Sequence, residues 1–569
     1  MNISLKKVFL LFLGVFSLFS CKNEENTVVE NLSQYVEPRI GTAHCRWFHF
    51  APGAMPFGMA KPAPSTNGSL GNKSGWEATG YDYRDNTIEG FPCLHEFQIG
   101  GISLMPTVGE LLTVPGLPSD TIKTGYRSRF SHENEVVKPG YYSVLLEDYQ
   151  IQAELTATER VAFQRFTFPQ GQEKHILFNI GNRQGESGAV KDAYVVYNQD
   201  GTVEGWVITE PEYVKKYQPG AVVPLYFFAV LDKEPLNYGA YNGNVQQPGV
   251  RESKGVGAGM YFSFASENQE VVTAKIGLSY TSVENARLNL QQEASDLDFD
   301  RAKERAQATW EDYLGRIRVE TECREDKVKF YTGLYHALLG RGLASDVNGA
   351  YPRNDGSVGQ LPMKEGTPLY NIYNTDVAWG AQWNLSQLWI LAYPEYMSEY
   401  ISSHLQAYKD AGWLADGLAN NRYVSGVGTN LLSTIIASAY ECGIRDFDTK
   451  IAYEACLKNE LEGKNRPFGA GKVNTTEFVK YGYVPHQDAG EGYHETFMFS
   501  ASHTLEYSYS AWAVAQWAKQ LGDEAHYSQL MDLSKGWERL YDSSCNFIRP
   551  KKADTRVRDK FCSKERELV

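Results

Sequence analysis

Between residues 30 and 280 the apolar positions recur with a period of two. "QIQAEL" alternates Ile151, Ala153 and Leu155 with Gln150, Gln152 and Glu154, the pattern of a strand with one face on a core. "RFTFP" and "VVPLYFFAVL" continue it, and Gly, Pro and Asn break the runs at places such as "YNGNVQQPG". Many short strands with turns between them predict a large sandwich.

The period then becomes helical. "DLDFDRAKERAQATWEDYLGRI" (Asp296 to Ile317) opens on aspartates that suit a helix N-terminus and reads as a linker helix. From Asp326 the spacing predicts about seven more helices, joined by loops rich in Gly, Asn and Asp. No fixed repeat length recurs, which argues against a repeat solenoid and leaves an α/α toroid. The expected chain is multidomain, β then α: a β-sandwich over 33–285, a linker helix within 286–325, a toroid domain over 326–550 and a charged tail over 551–569.

The N-terminus is a sorting segment rather than part of the fold. Lys6 and Lys7 precede an apolar run from Val8 to Phe19, too short for a permanent span. "LFSC" resembles a bacterial lipobox, so 1–20 is expected to be a signal peptide and Cys21 the lipidated residue. "KNEE" (Lys22 to Glu25) resembles the acidic export tag of bacterial surface lipoproteins, with 21–32 as linker. The expectation is an outer-membrane lipoprotein, surface-exposed or else periplasmic, held to the membrane by its lipid alone.

Composition narrows the chemistry. The net charge of −14 excludes non-specific nucleic-acid binding, which needs a basic surface. Thirty-six Tyr and 11 Trp suit sugar handling, because flat rings stack on pyranose faces; they suit a large β-rich core equally well. The eight Cys are scattered, with no CxxC and no HExxH, so neither a disulfide framework nor a zinc site is expected.

Several stretches go further. "YVEPRIGTAHCRWFHFAPGAMPFGMAKPAP" (Tyr35 to Pro64), "GYDYRDNTIEGFPCLHEF", "AELTATERVAFQRFTFP" (Ala153 to Pro169), "FYTGLYHALLGRGLASDVNGAY" (Phe330 to Tyr351) and "TLEYSYSAWAVAQWAKQLG" occur in this order. Together they resemble glycoside hydrolase family 92, the calcium-dependent exo-acting α-mannosidases, from about residue 33 to 550. The resemblance implies an inverting enzyme that removes terminal mannose from glycans. One carboxylic acid would protonate the leaving oxygen and a carboxylate would activate water on the other sugar face. A bound calcium would grip the vicinal hydroxyls, with both domains contributing to the cleft.

In that family the helical domain runs on beyond the counterpart of "CNFIRPK", and the acid Glu, a Glu/His-rich loop and the base Asp come from the later part. The resemblance therefore implies an incomplete (α/α)6 toroid without the catalytic carboxylates, gaping on one side with apolar faces exposed. A mannosidase-like hydrolase lacking those segments and a non-catalytic glycan-binding lipoprotein both fit this reading.

The same resemblance picks out substrate-binding candidates. Gly41, His44, Arg46, Trp47 and His49 lie on the N-terminal loop, and His95 follows the matching Gly-Phe. Asp376, Trp379 and Trp383 stand nearest to the family's Trp-Asp-Thr segment, whose letters differ here; Asp376 also reads as a helix N-cap. The cluster Asp488, Glu491, His494 and Glu495 in "HQDAGEGYHETF", and Asp416 with Arg422 in "LADGLANNRY", are polar loops with either a solvated or a site role. No catalytic residue is assigned.

Overall fold

The computed structural model describes residues 30–43, 49–70, 80–96, 99–120, 124–265, 267–487 and 499–557, with backbone only at 95, 96, 99 and 186. An N-terminal β-sandwich is followed by a helical domain. The larger sheet has nine antiparallel strands; its centre is Val223–Leu231, Glu270–Ser279 and Val161–Phe168. The smaller has six, centred on Ala258–Phe264, Lys174–Asn179 and Ile99–Val108. The alternation read in "QIQAEL" is the strand Ile151–Ala157, buried at Ile151, Ala153 and Leu155. "YNGNVQQPG" is a hairpin in which Asn242 pairs with Val245 across a two-residue turn. The sheets meet through Phe178 against Phe227 and Phe91 against Phe166, the face-to-face packing of a sandwich.

The linker is two helices, not one. Val283–Ala294 starts on Ser282 as N-cap and Phe299–Gly315 starts on Asp298, each side chain accepting from a backbone N–H. The aspartates of "DLDFD" thus mark a restart, and the expected boundary at 285/286 falls inside the first helix. Ala286, Leu290, Ala294, Phe299 and Ala302 cover the outer face of the larger sheet, packing on Val161, Phe163 and Phe228.

From Arg324 to Leu540 there are ten helices among the described residues, against the seven expected. The difference lies in short pieces. Ala378–Gln382, Thr475–Tyr481 and Gly536–Leu540 have five, seven and five residues, too few for an apolar period to show. The amphipathic stretch after Asp523 splits into Glu524–Leu533 and Gly536–Leu540. Along the longest helix, Ser500–Leu521, the apolar side chains Leu505, Tyr509 and Trp512 stand exposed on one face.

The two domains share one continuous core. The sandwich loop around "PGAMPFGM" enters the helical domain. Phe57 stacks on Tyr396 with ring centroids 3.5 Å apart and meets Trp389 edge-on. Its amide donates to Leu338 O at 3.0 Å. Gly342 has φ +81°, and a side chain there would sit 2.2 Å from Gly58 O, so the close backbone approach needs glycine. Trp310 of the linker is fully buried and donates to Ala54 O at 2.7 Å.

A buried polar network reinforces this junction. Arg160, in the tight connection between Ile151–Ala157 and Val161–Phe168, pairs with Glu293 of the linker at 2.8 Å. It also donates to Ser345 O at 2.7 Å and to Asn371 Oδ1 at 3.1 Å in the helical domain. Asp346 accepts from Ser279, Thr281 and Asn289 at 2.9, 2.5 and 2.7 Å, and burial pushes its carboxyl up. "TATER" is therefore the tip of a sandwich hairpin that ties three parts of the chain. Arg160→Met leaves Glu293 buried without its cation, which costs about 3–5 kcal/mol; urea unfolding is expected to show a loss of that order, and a loss below about 1 kcal/mol contradicts the tie.

Candidate functional site

Two larger openings lie along the domain junction, beside a third of about 230 Å³ between Tyr217 and Gly428. The larger, about 740 Å³, sits over the Arg160 network. Of its charged groups, Arg160 pairs with Glu293, Arg305 with Glu159 and Glu395 with Arg316, while Glu399 accepts from Asn371 and Tyr373. The smaller, about 370 Å³, lies between the N-terminal loop and the helical domain. It has an apolar floor and a few convergent polar groups, the usual make-up of a small-molecule site.

His49 comes from the N-terminal loop and His336 from the helix Arg324–Leu339, with ring centroids 4.3 Å apart. Burial holds both imidazoles below their ordinary range, His336 down to about 3 with His49 adding to the effect. Both rings are therefore neutral near pH 7 and able to donate and accept hydrogen bonds. Gly41, at φ +88°, lies against His49: a side chain there would come within 3.1 Å of the ring.

On the opposite wall, Asp376 Oδ1 accepts from Arg341 Nε at 2.9 Å and Nη2 at 2.5 Å. Asp376 is not an N-cap; the helix Ala378–Gln382 starts on Val377. Trp379, also on the cavity wall, donates its indole N–H to Glu506 Oε1 at 3.0 Å. Trp383 meets Trp379 edge-on at 6.0 Å and is 64% exposed, at the rim.

Glu506 was absent from the candidates, yet it is the residue whose surroundings are most unusual. It is half-buried on Ser500–Leu521, with one oxygen on the Trp379 indole and the Thr429 hydroxyl nearby. Burial raises its carboxyl above the usual range; the Trp379 N–H, the Thr429 hydroxyl and the nearby Lys472 charge act the other way. A signal for it exists in "SASHTLEYSYSAWAVAQWAKQL": it is the one carboxylate in 22 residues. Below it, Lys472 and Glu460 form a buried pair at 2.5 Å joined by Ser510.

Asp416 is fully buried next to the cavity wall. Its backbone carbonyl accepts from Ala378 N at 2.7 Å, and its Oδ2 from Ser425 Oγ at 2.8 Å and Gly426 N at 3.1 Å. Burial, with the Glu506 charge adding, raises it to about 6. Arg422 is structural: it is buried and donates to Asn354 O.

Gly41, His49, Asp376 and Trp379 thus come together at one cavity, with Trp383 at its rim. His95 lies on the strand Phe91–Glu96 opposite Gly100, and its side chain is outside the described set. Cys21, His44, Arg46, Trp47, Asp488, Glu491, His494 and Glu495 also lie outside the described residues. Among the described residues no group of three or more His, Cys, Asp or Glu is placed to hold a metal, and Asp376 is engaged by Arg341.

Two family profiles cover the chain, the glycosyl hydrolase family 92 N-terminal domain over residues 35–279 and the glycosyl hydrolase family 92 catalytic domain over 285–567. The chain belongs to glycosyl hydrolase family 92. Among solved structures of this family, the α-mannosidase of Bacteroides thetaiotaomicron in complex with mannoimidazole superposes with a TM-score of 0.82 at 25% identity, over 94% of this chain and 67% of that one. An inverting family 92 mannosidase of the same organism gives 0.79 at 24%, over 94% and 68%, which bears on the fold. An uncharacterized secreted glycosidase of Arthroderma benhamiae is 26% identical over 546 residues, 89% of this chain. The chain spans 62% of that relative's length.

The buried Asp416 gives this family 92 chain a pH signature. Its folded value of about 6 lies above the ordinary carboxylate range near 4, so the folded state keeps a proton that the unfolded state gives up. The stability contributed by the neutral acid is complete below about pH 4 and is lost as pH rises through about 6. Asp416→Asn is neutral throughout. It is expected to flatten the stability curve between pH 4 and 6 by ~2–3 kcal/mol in urea unfolding; a curve identical to wild type contradicts the assignment.

Proposed function

We propose that the protein is an α-mannosidase-type glycoside hydrolase that takes a terminal mannose into the cavity between His49 and Asp376, with Glu506 as the proton donor. The observation that carries this reading is the Trp379–Glu506 contact. It joins a half-buried carboxyl, raised above its usual range, to the wall of the cavity at the domain junction. A raised carboxyl is what a general acid needs to hold its proton at neutral pH. The neutral His49 and His336 rings and the Asp376–Arg341 pair supply donors and acceptors for sugar hydroxyls. Trp379 and Trp389 supply apolar faces. An inverting reaction also needs a carboxylate about 6.5–9.5 Å from the acid, on the far side of the ring.

A second reading, glycan binding without turnover, is favoured by one observation. Asp376, the other carboxylate on the cavity wall, has one oxygen taken by two N–H groups of Arg341. An aryl α-mannoside assay separates the two. Hydrolysis by the wild-type protein and a loss of 10²-fold or more in Glu506→Gln is the expected result. Saturable binding with no turnover supports the binder, and turnover untouched by Glu506→Gln rejects the acid assignment.

We further propose that the protein is exported and anchored through a lipid on Cys21. What supports it is the "LFSC" sequence directly after the apolar run from Val8 to Phe19. Labelled palmitate is expected to enter the wild-type protein in bacterial cells and not Cys21→Ala, which should leave the membrane fraction. Equal labelling of both argues against the anchor.

A further inference from the structure

We propose that Lys472 is a positioning residue for Glu506: held by Glu460 and Ser510, its ammonium is a fixed charge behind the carboxyl that eases loss of the carboxyl proton. This rests on the reading of Glu506 as the proton donor. Three elements meet here. Glu460 comes from the helix Thr449–Leu461, Lys472 from the segment before Thr475–Tyr481, and Ser510 from the Glu506 helix. Lys472 Nζ donates to both Glu460 oxygens at 2.5 Å and to Ser510 Oγ at 2.7 Å, and Ser510 Oγ donates to Glu460 Oε1 at 2.7 Å. Both charged side chains are only 1% exposed. Ser510 stands one turn from Glu506; side chains four apart share a helix face, with Cβ atoms about 5–6 Å apart. Lys472 Nζ also lies 5.1 Å from the ring of Tyr507, the residue next to Glu506. The ammonium is therefore fixed within a turn of the acid.

Support for the helix alone does not call for charge. A buried ion pair is often worth no more than apolar side chains of the same volume, because both ions must give up water. What the pair adds is a field. Glu506 faces the Trp379 indole, the Thr429 hydroxyl, the Tyr507 phenol on its own helix, the buried Asp416 carboxyl and the Lys472 ammonium. Asp416 disfavours the ionised form of Glu506 and Lys472 favours it; charges so far from water are little screened. The ammonium acts on Glu506 more strongly than its counter-charge Glu460 does. Burial thus lets the acid keep a proton, and Lys472 lets the acid release it. A proton donor needs both, since it works best with its pKa near the working pH. Without the pair the carboxyl stays protonated to higher pH and is a weaker acid.

Two variants test this, Lys472→Met/Glu460→Leu and Lys472→Gln/Glu460→Gln, each of which removes both charges together. The readouts are the pH profiles of kcat and kcat/KM on an aryl α-mannoside, and the carbon-13 carboxyl titration of glutamate-labelled protein, with Glu506→Gln marking the Glu506 signal. A general acid is active while protonated, so its rate falls as pH rises through its pKa. In both variants that alkaline limb and the Glu506 titration are expected to move to higher pH. The plateau kcat should fall severalfold with KM near the wild-type value, and the thermal midpoint should stay near wild type. A limb and a titration that stay in place in a variant with an unchanged midpoint overturn the proposal. Loss of the folded state in both variants makes the pair a structural support and also overturns it. Absence of turnover in wild type removes the proton-donor reading; the titration then decides alone, a raised Glu506 signal upholding the hold of Lys472 on the carboxyl and an unmoved one overturning it.

Discussion

The buried tie between Arg160 and Glu293 is the constraint on which the rest of the structure depends. A cleft built from two domains has no fixed shape unless the domains are fixed to each other. A hydrophobic contact alone does not set an angle, because burial has no direction. The Arg160 fork does, since it must meet a carboxylate on the linker, a carbonyl and an amide of the helical domain at once. Around it, Phe57 plugs into a cage of Tyr396 and Trp389, and Trp310 clamps the loop behind it. The His49 loop is carried by the same segment, so the position of one wall of the cavity follows from the tie.

Burial sets the chemistry of that cavity. The imidazoles of His49 and His336 are desolvated and stay neutral, while the carboxyls of Asp416 and Glu506 are pushed toward their protonated forms. Both shifts come from the same cause, the cost of charge in a poorly solvated place. The imidazoles lie on the cavity wall and the two carboxyls behind it, joined to it through Ala378 and Trp379. A sugar, which is itself neutral and rich in hydroxyls, is the kind of ligand that such a wall accommodates.

Much of the fold was legible in the sequence, because strand alternation over ten-residue pieces such as Glu270–Ser279 and long helical runs such as Ser500–Leu521 repeat often enough to be read. Short helices were not, and the linker was read as a single helix because the Asp298 cap lies within an acidic run. Of the cavity's lining, His49, Asp376 and Trp379 were named from the sequence, through their places in the stretches that carry the family resemblance. Glu506 lies within "TLEYSYSAWAVAQWAKQLG", a stretch that carries the family resemblance but sets no residue apart for chemistry. What makes it exceptional is a contact with Trp379, 127 residues earlier, and sequence carries no direct record of such a distance. The role of "TATER" was equally hidden: Arg160 looks like a surface charge in a strand connection until Glu293 and Asn371 are placed beside it.

The central claim is that the junction cavity, and not the larger opening over Arg160, receives the sugar. A crystal structure of the protein soaked with mannoimidazole tests it directly. The expected density is a single ring in the cavity, within hydrogen-bond reach of Asp376 and of Glu506. A ring bound in the opening beside Arg160 and Glu399, with the His49–Asp376 cavity empty, would contradict the claim.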